Sequence, residues 1–264
     1  MSRQAEQDKL VSHILAAPKY RHLDEAFVRR VAADAALRFR DHNDAVKYAK
    51  RKLHQAFGAF LTGSPADAVR RCITAIGDGA DVRDASRTAM RAHASTAERL
   101  PWLDPFYEKV SAWCGQTDSV VDLACGLNPL ALPWLPLKPG GRYWCCDIDR
   151  DLVSALGDLG AAFPTAVEAT TRDLLGGAAI PPADLALLLK TVTTLEQQRT
   201  GAGRIVLASL DCPHVVLSVP RRSLSGRVSY VDDPVRGAVE GTRYRIADQA
   251  TFGDELVCHL VRDT

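Results

Sequence analysis

Asp147 closes the apolar run Tyr143-Trp144-Cys145-Cys146 and lies 21 residues beyond Gly126. A carboxylate at that distance from a glycine turn can accept hydrogen bonds from a ribose diol. Asp173, after a further extended segment, is placed to accept from an adenine amine. Taken singly, either aspartate could equally cap a helix or close a strand-end turn. The glycine loop separates the ligands that carry both ribose and adenine. A dinucleotide needs G-x-G-x-x-G, because its pyrophosphate must meet bare backbone at a helix N-terminus. In Ala124-Cys125-Gly126-Leu127-Asn128-Pro129 only Gly126 remains of that pattern, and Pro129 has no N–H to offer a phosphate. The spacing therefore favours a phosphate-free adenosine cofactor, S-adenosyl-L-methionine, over NAD.

Other chemistries find less support. Seven cysteines with no CxxC pair fit neither a disulfide framework nor a zinc motif, and no His/Cys cluster has metal-ligand spacing, so no metal is expected. Cys125, Cys145, Cys146 and Cys258 stand among apolar residues, as buried reduced thiols do. Asp211-Cys212-Pro213 is a weak match to the nucleophile of C5-methyltransferases, and Lys190-Thr191-Val192-Thr193 replaces the N/D-P-P-Y type motif of exocyclic-amine methyltransferases. Lys190, after the buried run Leu185 to Leu189, reads as a group that positions a target nucleotide or its phosphate; its plainer reading is a partner for Glu196.

These residues need a scaffold, and the chain supplies two kinds. Up to Leu100 the pattern is helical. Phe27, Val28, Val31, Ala32 and Ala35 mark one buried stripe. Ser64-Pro65-Ala66-Asp67 starts another helix, with Ala68, Val69, Cys72, Ile73 and Ile76 inside and Gly77 at its end. A third is expected from Arg83 to Arg99. After Pro101, apolar runs at Ser119–Cys125, Tyr143–Cys146, Leu185–Leu189 and Val215–Val219 alternate with helix-compatible stretches, the signature of a parallel sheet covered on both faces. Segments around Arg243–Ile246 and Leu256–Val261 predict a terminal hairpin. The expected fold is α/β, a Rossmann-like domain over 101–264 behind an all-helical domain over 1–100.

The 264 residues, 47% hydrophobic and 25% charged, describe an ordinary globular chain. No apolar run approaches the ~20 residues of a membrane span, and the polar N-terminus does not resemble a signal peptide, so a cytoplasmic protein is expected. The net charge of +1 hides an asymmetry: residues 1–100 carry 18 Lys/Arg against 12 Asp/Glu, and residues 101–264 carry 15 against 20. A basic half suggests a polyanionic partner. Within it, a helix predicted from Asn43 to Leu61 packs Val46, Ala49, Leu53, Ala56, Phe57 and Phe60, while Lys47, Lys50, Arg51 and His54 form another stripe. Those cations with Lys19, and Arg221, Arg222 and Arg227 after the fifth apolar run, are the expected RNA contacts.

His93-Ala94-Ser95-Thr96-Ala97-Glu98-Arg99 followed by Cys125-Gly126-Leu127-Asn128-Pro129-Leu130 resembles the 16S rRNA (guanine-N7) methyltransferases of the aminoglycoside-resistance Arm/Rmt group, relatives of which antibiotic-producing actinomycetes carry. The resemblance continues through Asp147-Ile148-Asp149, Asp173-Leu174-Leu175, Lys190, Leu195-Glu196-Gln197-Gln198 and Pro220-Arg221-Arg222-Ser223-Leu224, and so spans most of the chain. It implies a class I methyltransferase with a mostly parallel seven-stranded sheet behind a helical RNA-binding extension. It puts Arg99 on the methionine carboxylate, His93, Ala94 and Ser95 at the same end, and Ala124 against the cofactor through its backbone. Asp147 takes the ribose, Asp173 with Leu174 the adenine, and Leu189 and Gln198 flank the pocket. Lys190 and Glu196 become positioning groups, since guanine N7 carries a lone pair and no proton and needs no general base. The implied partner is 16S rRNA in the 30S subunit, with neither DNA nor membrane, for a protein expected to act as a monomer. Departures from the family fall mainly on the substrate side: Ala124 replaces a glycine, Ser225-Gly226 a Gly-Gly pair, Val192-Thr193-Thr194 a Leu-Pro-Cys-like stretch, and Ser229 to Gly241 a basic loop. They leave room for an adenine-N1 or small-molecule methyltransferase, or for a catalytically silent RNA-binding homologue.

Overall fold

The computed structural model describes residues 3–58, 63–221 and 232–263. Three helices, α1 (Arg3–Leu15), α2 (Glu25–Arg38) and α3 (His42–Leu53), open the chain and enclose a core of their own running from Leu10 to Phe57. The stripe read from the sequence is the buried face of α2, and Asp24 and Asp41 cap α2 and α3 by accepting from Ala26 N and Asp44 N. The long helix expected to reach Leu61 stops at Leu53. A π-helical turn, His54–Gly58, follows and carries Ala56 and Phe57, an arrangement common at functional sites. Phe60 and Leu61 lie outside the described residues.

Next come α4 (Pro65–Gly77), capped by the Ser64 hydroxyl as predicted, α5 (Val82–Met90) and α6 (Ala94–Arg99). The single helix expected from Arg83 to Arg99 is broken at Arg91–His93. His93 is extended (φ −136°, ψ 126°), and the Thr96 hydroxyl reaches back across the break to the Met90 and His93 carbonyls. Though helical, α4 and α5 do not join the core of α1–α3. Val69, Cys72 and Met90 pack with Phe106 of α7 (Leu103–Cys114), with Leu127 and with the sheet. By packing, the first core ends at Phe57 rather than at residue 100: local pattern announces a helix but not the core it joins.

The sheet contains β1 (Thr117–Leu123), β2 (Leu137–Asp147), β3 (Ala166–Thr171), β4 (Leu185–Leu189), β5 (His214–Pro220), β6 (Tyr244–Phe252) and β7 (Glu255–Arg262) in the order β3-β2-β1-β4-β5-β7-β6. The first five strands are parallel, and β7 inserts antiparallel between β5 and β6, so the predicted hairpin closes the sheet edge. With α8 (Arg150–Gly157), the helices α4, α5 and α7 cover one face; α9 (Thr191–Gln198), α10 (Ala202–Ser209) and α11 (Asp232–Val239) cover the other. The architecture is a class I Rossmann-like α/β fold with a helical N-terminal region. The order reverses between β1 and β4, which opens a crevice at their carboxyl ends.

The helical unit docks at that edge through backbone. Asp24 N donates to Ile148 O, Arg150 N donates to His22 O, and Leu23 bridges Asp149. On the far side, Gln198 Nε2 donates to Lys52 O at 3.2 Å. No described helix is long and apolar enough to cross a membrane.

Candidate functional site

The crevice is a concave, partly open hollow lined by apolar groups with a few convergent polar ones, as small-molecule sites are. Ala124 and Gly126 line it from the end of β1, Asp147 from β2, Asp173 and Leu174 from beyond β3, and Leu189 and Lys190 from β4. His93, Ser95 and Gln198 line it as well. Phe27, Arg30, Ala56 and Phe57 of the helical unit form part of its wall.

Two residues at the switch point hold left-handed backbone although neither is glycine: Ala124 (φ 52°) and Lys190 (φ 59°). That conformation costs an alanine roughly 1–2 kcal/mol and is retained where surrounding contacts require it. At Lys190 they are visible: its N–H donates to Ser218, and the next residue, Thr191, donates its hydroxyl to Leu123 O at 3.0 Å. Gly126 (φ 51°) is confined more tightly, since a methyl there would come within 3.2 Å of the His93 ring. Its N–H donates to Asp147 Oδ2 at 2.9 Å, and Asp149 N donates to Oδ1 at 3.1 Å. Burial nevertheless pushes the Asp147 carboxyl up to about 6, against those backbone donors.

Asp173 is placed differently. Its carboxylate receives a fork from Arg30 of α2, Nε at 2.5 Å and the terminal nitrogen at 3.1 Å, and also accepts from Leu175 N. The expected adenine acceptor is thus already paired with the helical unit. No feature of the sequence marked Arg30, because it lies 143 residues from Asp173.

At the other end, Lys190 is buried. Its Nζ pairs with Glu98 and lies 3.8 Å from Glu255, not against Glu196. Glu196 accepts from Gly201 N and Gly203 N, both at 2.8 Å, and so holds the start of α10; it does not line the crevice, and the positioning role expected of it is not supported by its place. Arg99 is 2% exposed and also absent from the crevice surface. It donates to Glu255 at 2.7 Å and to Asn128 Oδ1 at 3.3 Å, and lies over the Phe106 ring. Its Nε finds no acceptor among the described residues. An unpaired buried guanidinium N–H is costly; an added carboxylate would satisfy it. Burial raises the pKa of Glu255, but Arg99 and Lys190 outweigh it and hold the carboxyl below its ordinary value. Burial, with Lys190 and Arg99 nearby, takes His93 down to about 4, so its ring is neutral at pH 7, in contact with Ser95 Oγ at 2.9 Å. Ala94 does not line the crevice.

Beneath the loop runs a network that sequence reading missed. Tyr107 donates to Asn128 Oδ1 at 2.6 Å, Asn128 Nδ2 donates to Asp122 Oδ2 at 2.8 Å, and Tyr143 also donates to Asp122. Burial pushes Asp122 up to about 6 despite these donors. Charged residues inside the apolar runs of β1 and β7, Asp122 and Glu255, were the available signal.

Of the expected RNA contacts, Lys19, Lys47 and Arg51 are exposed and Lys50 is half-buried on the outer face of the helical unit. Lys19 lies 3.2 Å from His54, and Lys47 pairs with Asp44. Arg221 is exposed at the end of β5; Arg222 and Arg227 lie outside the described residues. Cys212 is buried at the opposite end of β5, its thiol pushed up to about 11 by burial, which excludes it from chemistry at the crevice.

Against known proteins, the family described as "Ribosomal RNA methyltransferase (FmrO)" matches residues 16–258. The 16S rRNA (guanine(1405)-N(7))-methyltransferase of Micromonospora olivasterospora is 56% identical over 94% of this chain and 86% of its own length. The protein of the same description from Serratia marcescens is 32% identical over 95% of this chain and 96% of its own. Among solved structures, the 16S rRNA methyltransferase RmtF in complex with S-adenosyl-L-homocysteine superposes with a TM-score of 0.84 at 34% identity, covering 99% of both chains.

Proposed function

From the premise that the chain belongs to the ribosomal RNA methyltransferase family, we propose that it transfers the methyl group of S-adenosyl-L-methionine to N7 of guanine 1405 in 16S rRNA, and so gives aminoglycoside resistance. The observation that carries the reading is the crevice at the β1/β4 switch point, whose loop keeps one glycine and places Pro129 where a pyrophosphate would need a bare N–H. Asp147 faces it from one side, and Lys190, with the unsatisfied Arg99 Nε behind, provides positive charge on the other. The relatives named above act on this same base.

When bound, the cofactor supplies an electrophilic sulfonium methyl; the chain's residues align it and exclude water. Asp147 accepts from the ribose hydroxyls, its orientation held by Gly126 and Asp149 N–H groups. Leu174, Leu189, Phe27 and Phe57 supply apolar walls for the adenine, and Asp173 reaches its amine with whatever acceptor capacity the Arg30 fork leaves. Lys190 Nζ would take the methionine carboxylate, with His93 and Ser95 beside it; Arg99, buried behind the crevice wall, would meet that carboxylate only where the wall opens. No side chain removes a proton, because N7 attacks through its in-plane lone pair. That atom must be brought to the methyl, so the guanine is flipped from its helix. Lys19, Lys47, Lys50 and Arg51, with Arg221, Arg222 and Arg227, contact phosphates. The helical unit thus both binds RNA and walls the cofactor, in a cytoplasmic monomer acting on the 30S subunit.

Expression in an aminoglycoside-sensitive bacterium, followed by reduction and strand scission at N7-methylguanine, tests this. A new scission at position 1405, absent with Asp147→Ala, is the expected result. Unmodified rRNA with soluble, folded protein overturns it, and a methyl mapped to an adenine N1 selects the alternative.

A further inference from the structure

At the end of the sheet opposite the crevice, three side chains from three elements converge. Cys114 ends α7, His214 opens β5, and His259 lies within β7, paired with Val216. One ligand atom from each lies within 4.8 Å of the other two. The imidazoles face each other, with His214 Nδ1 3.0 Å from His259 Nε2. Trp113 stacks on His259, 5.4 Å between centroids at 15°. The sequence hid this grouping: 45 residues separate the histidines, and Cys114 precedes His214 by a hundred.

We propose that Cys114, His214 and His259 form a binding site for a zinc-class divalent cation that ties the end of α7 to β5 and β7. The donors are those zinc selects, and three protein ligands leave a fourth, tetrahedral position for water. Two nitrogens bound to one zinc stand about 3.3 Å apart at ordinary bond lengths, close to the present 3.0 Å. Cys114 is half-buried at the end of α7, with its sulfur within 4.8 Å of a nitrogen of each ring. Binding replaces the thiol S–H bond with an S–Zn bond and releases that proton to solvent. The proton shared by the two rings moves to the outer nitrogen of the imidazole that held it, so each facing nitrogen offers a lone pair. Asp248 stays outside the set, committed to Trp113 Nε1 at 2.8 Å and Lys109 at 2.9 Å. Four residues of β5 separate His214 from Ser218 beside the crevice, roughly 13 Å of strand, so the role is to brace the sheet edge and not to act on the methyl group.

Titration of the metal-stripped full chain with cobalt(II) and then zinc tests this. One cobalt equivalent should give the visible bands of a four-coordinate ion with a thiolate charge-transfer band. Zinc should displace it with Kd below about 10 µM. Zinc at a hundredfold excess over Kd should raise Tm by roughly 5 °C and slow alkylation of Cys114 at least tenfold. The cobalt bands, the zinc displacement and the Tm rise should be lost in both Cys114→Ser and His214→Asn, and the protection of Cys114 from alkylation in His214→Asn, while cofactor binding stays unchanged, which also separates this result from any failure of the methyl-transfer reading. Binding weaker than 10 µM in the folded wild type, or equal binding in both variants, overturns the site.

Discussion

Two arginine–carboxylate pairs stand near the two ends of the crevice and illustrate opposite uses of one interaction. Arg99–Glu255 is sealed, with side chains 2% and 6% exposed, and is embedded among Asn128, Ser218 and Lys190. Arg30–Asp173 joins the helical unit to the sheet with its arginine 30% exposed. Burial makes the first a strut: its charges have no water to fall back on if one partner is removed. The second is a clasp that water and salt reach. In the proposed placement, the cofactor's methionine end would rest beside a rigid charged lattice, whereas its adenine end would depend on how firmly the helical unit is seated.

Breaking the strut should have the largest effect. Arg99→Ala leaves Glu255 buried beside Lys190 alone, and should cost about 3–5 kcal/mol of stability by denaturant unfolding. Asp147→Ala should weaken S-adenosylmethionine binding by at least about a hundredfold in calorimetry, since two hydrogen bonds to a charged acceptor are lost, and should cost about 1–3 kcal/mol of stability because Gly126 N and Asp149 N lose their acceptor. The same carboxyl gives a pH test. Its folded pKa, about 6, lies above the usual 3.8, so protonation below pH 6 stabilises the fold but removes the ionised acceptor. Cofactor affinity should fall as pH drops from 7 to 5, and Asp147→Asn should flatten that profile. Arg30→Ala should cost about 1–3 kcal/mol, less than the strut because the arginine is 30% exposed although Asp173 is only 6% exposed, and should change cofactor affinity by a few fold, more at low salt than high. A large, salt-independent effect there would show the clasp to be a second strut. Smallest of all, Ala124→Gly should change stability by less than about 1 kcal/mol, relief of the left-handed strain being offset by the freer unfolded chain.

How far these features could be read in advance follows their range along the chain. The buried stripe of α2, the Ser64 cap, the apolar strands and the terminal hairpin depend on residues a few positions apart, and each formed where the pattern placed it. The crevice aspartates were legible because a strand-turn-helix unit has a nearly constant length, which sets the 21-residue step from Gly126 to Asp147. The break between α5 and α6 was not, although it delivers His93 to the crevice: helical propensity runs through Arg91–His93, and only tertiary packing overrides it. Glu196 was misread for a similar reason. Its proximity to Lys190 in sequence suggested a partnership, whereas the backbone turn before α10 claims its carboxylate.

The sequence by itself determined most of the secondary elements, the parallel sheet, the class of cofactor and the family, because period, spacing and motif are local quantities. Tertiary structure alone decided that α4 and α5 belong to the sheet, that Arg30 clasps Asp173, that Glu255 stands between Arg99 and Lys190, and that Cys114 meets two histidines. Each of these joins residues far apart along the chain, and only burial and geometry select one such pairing from the many that charge or chemistry would permit.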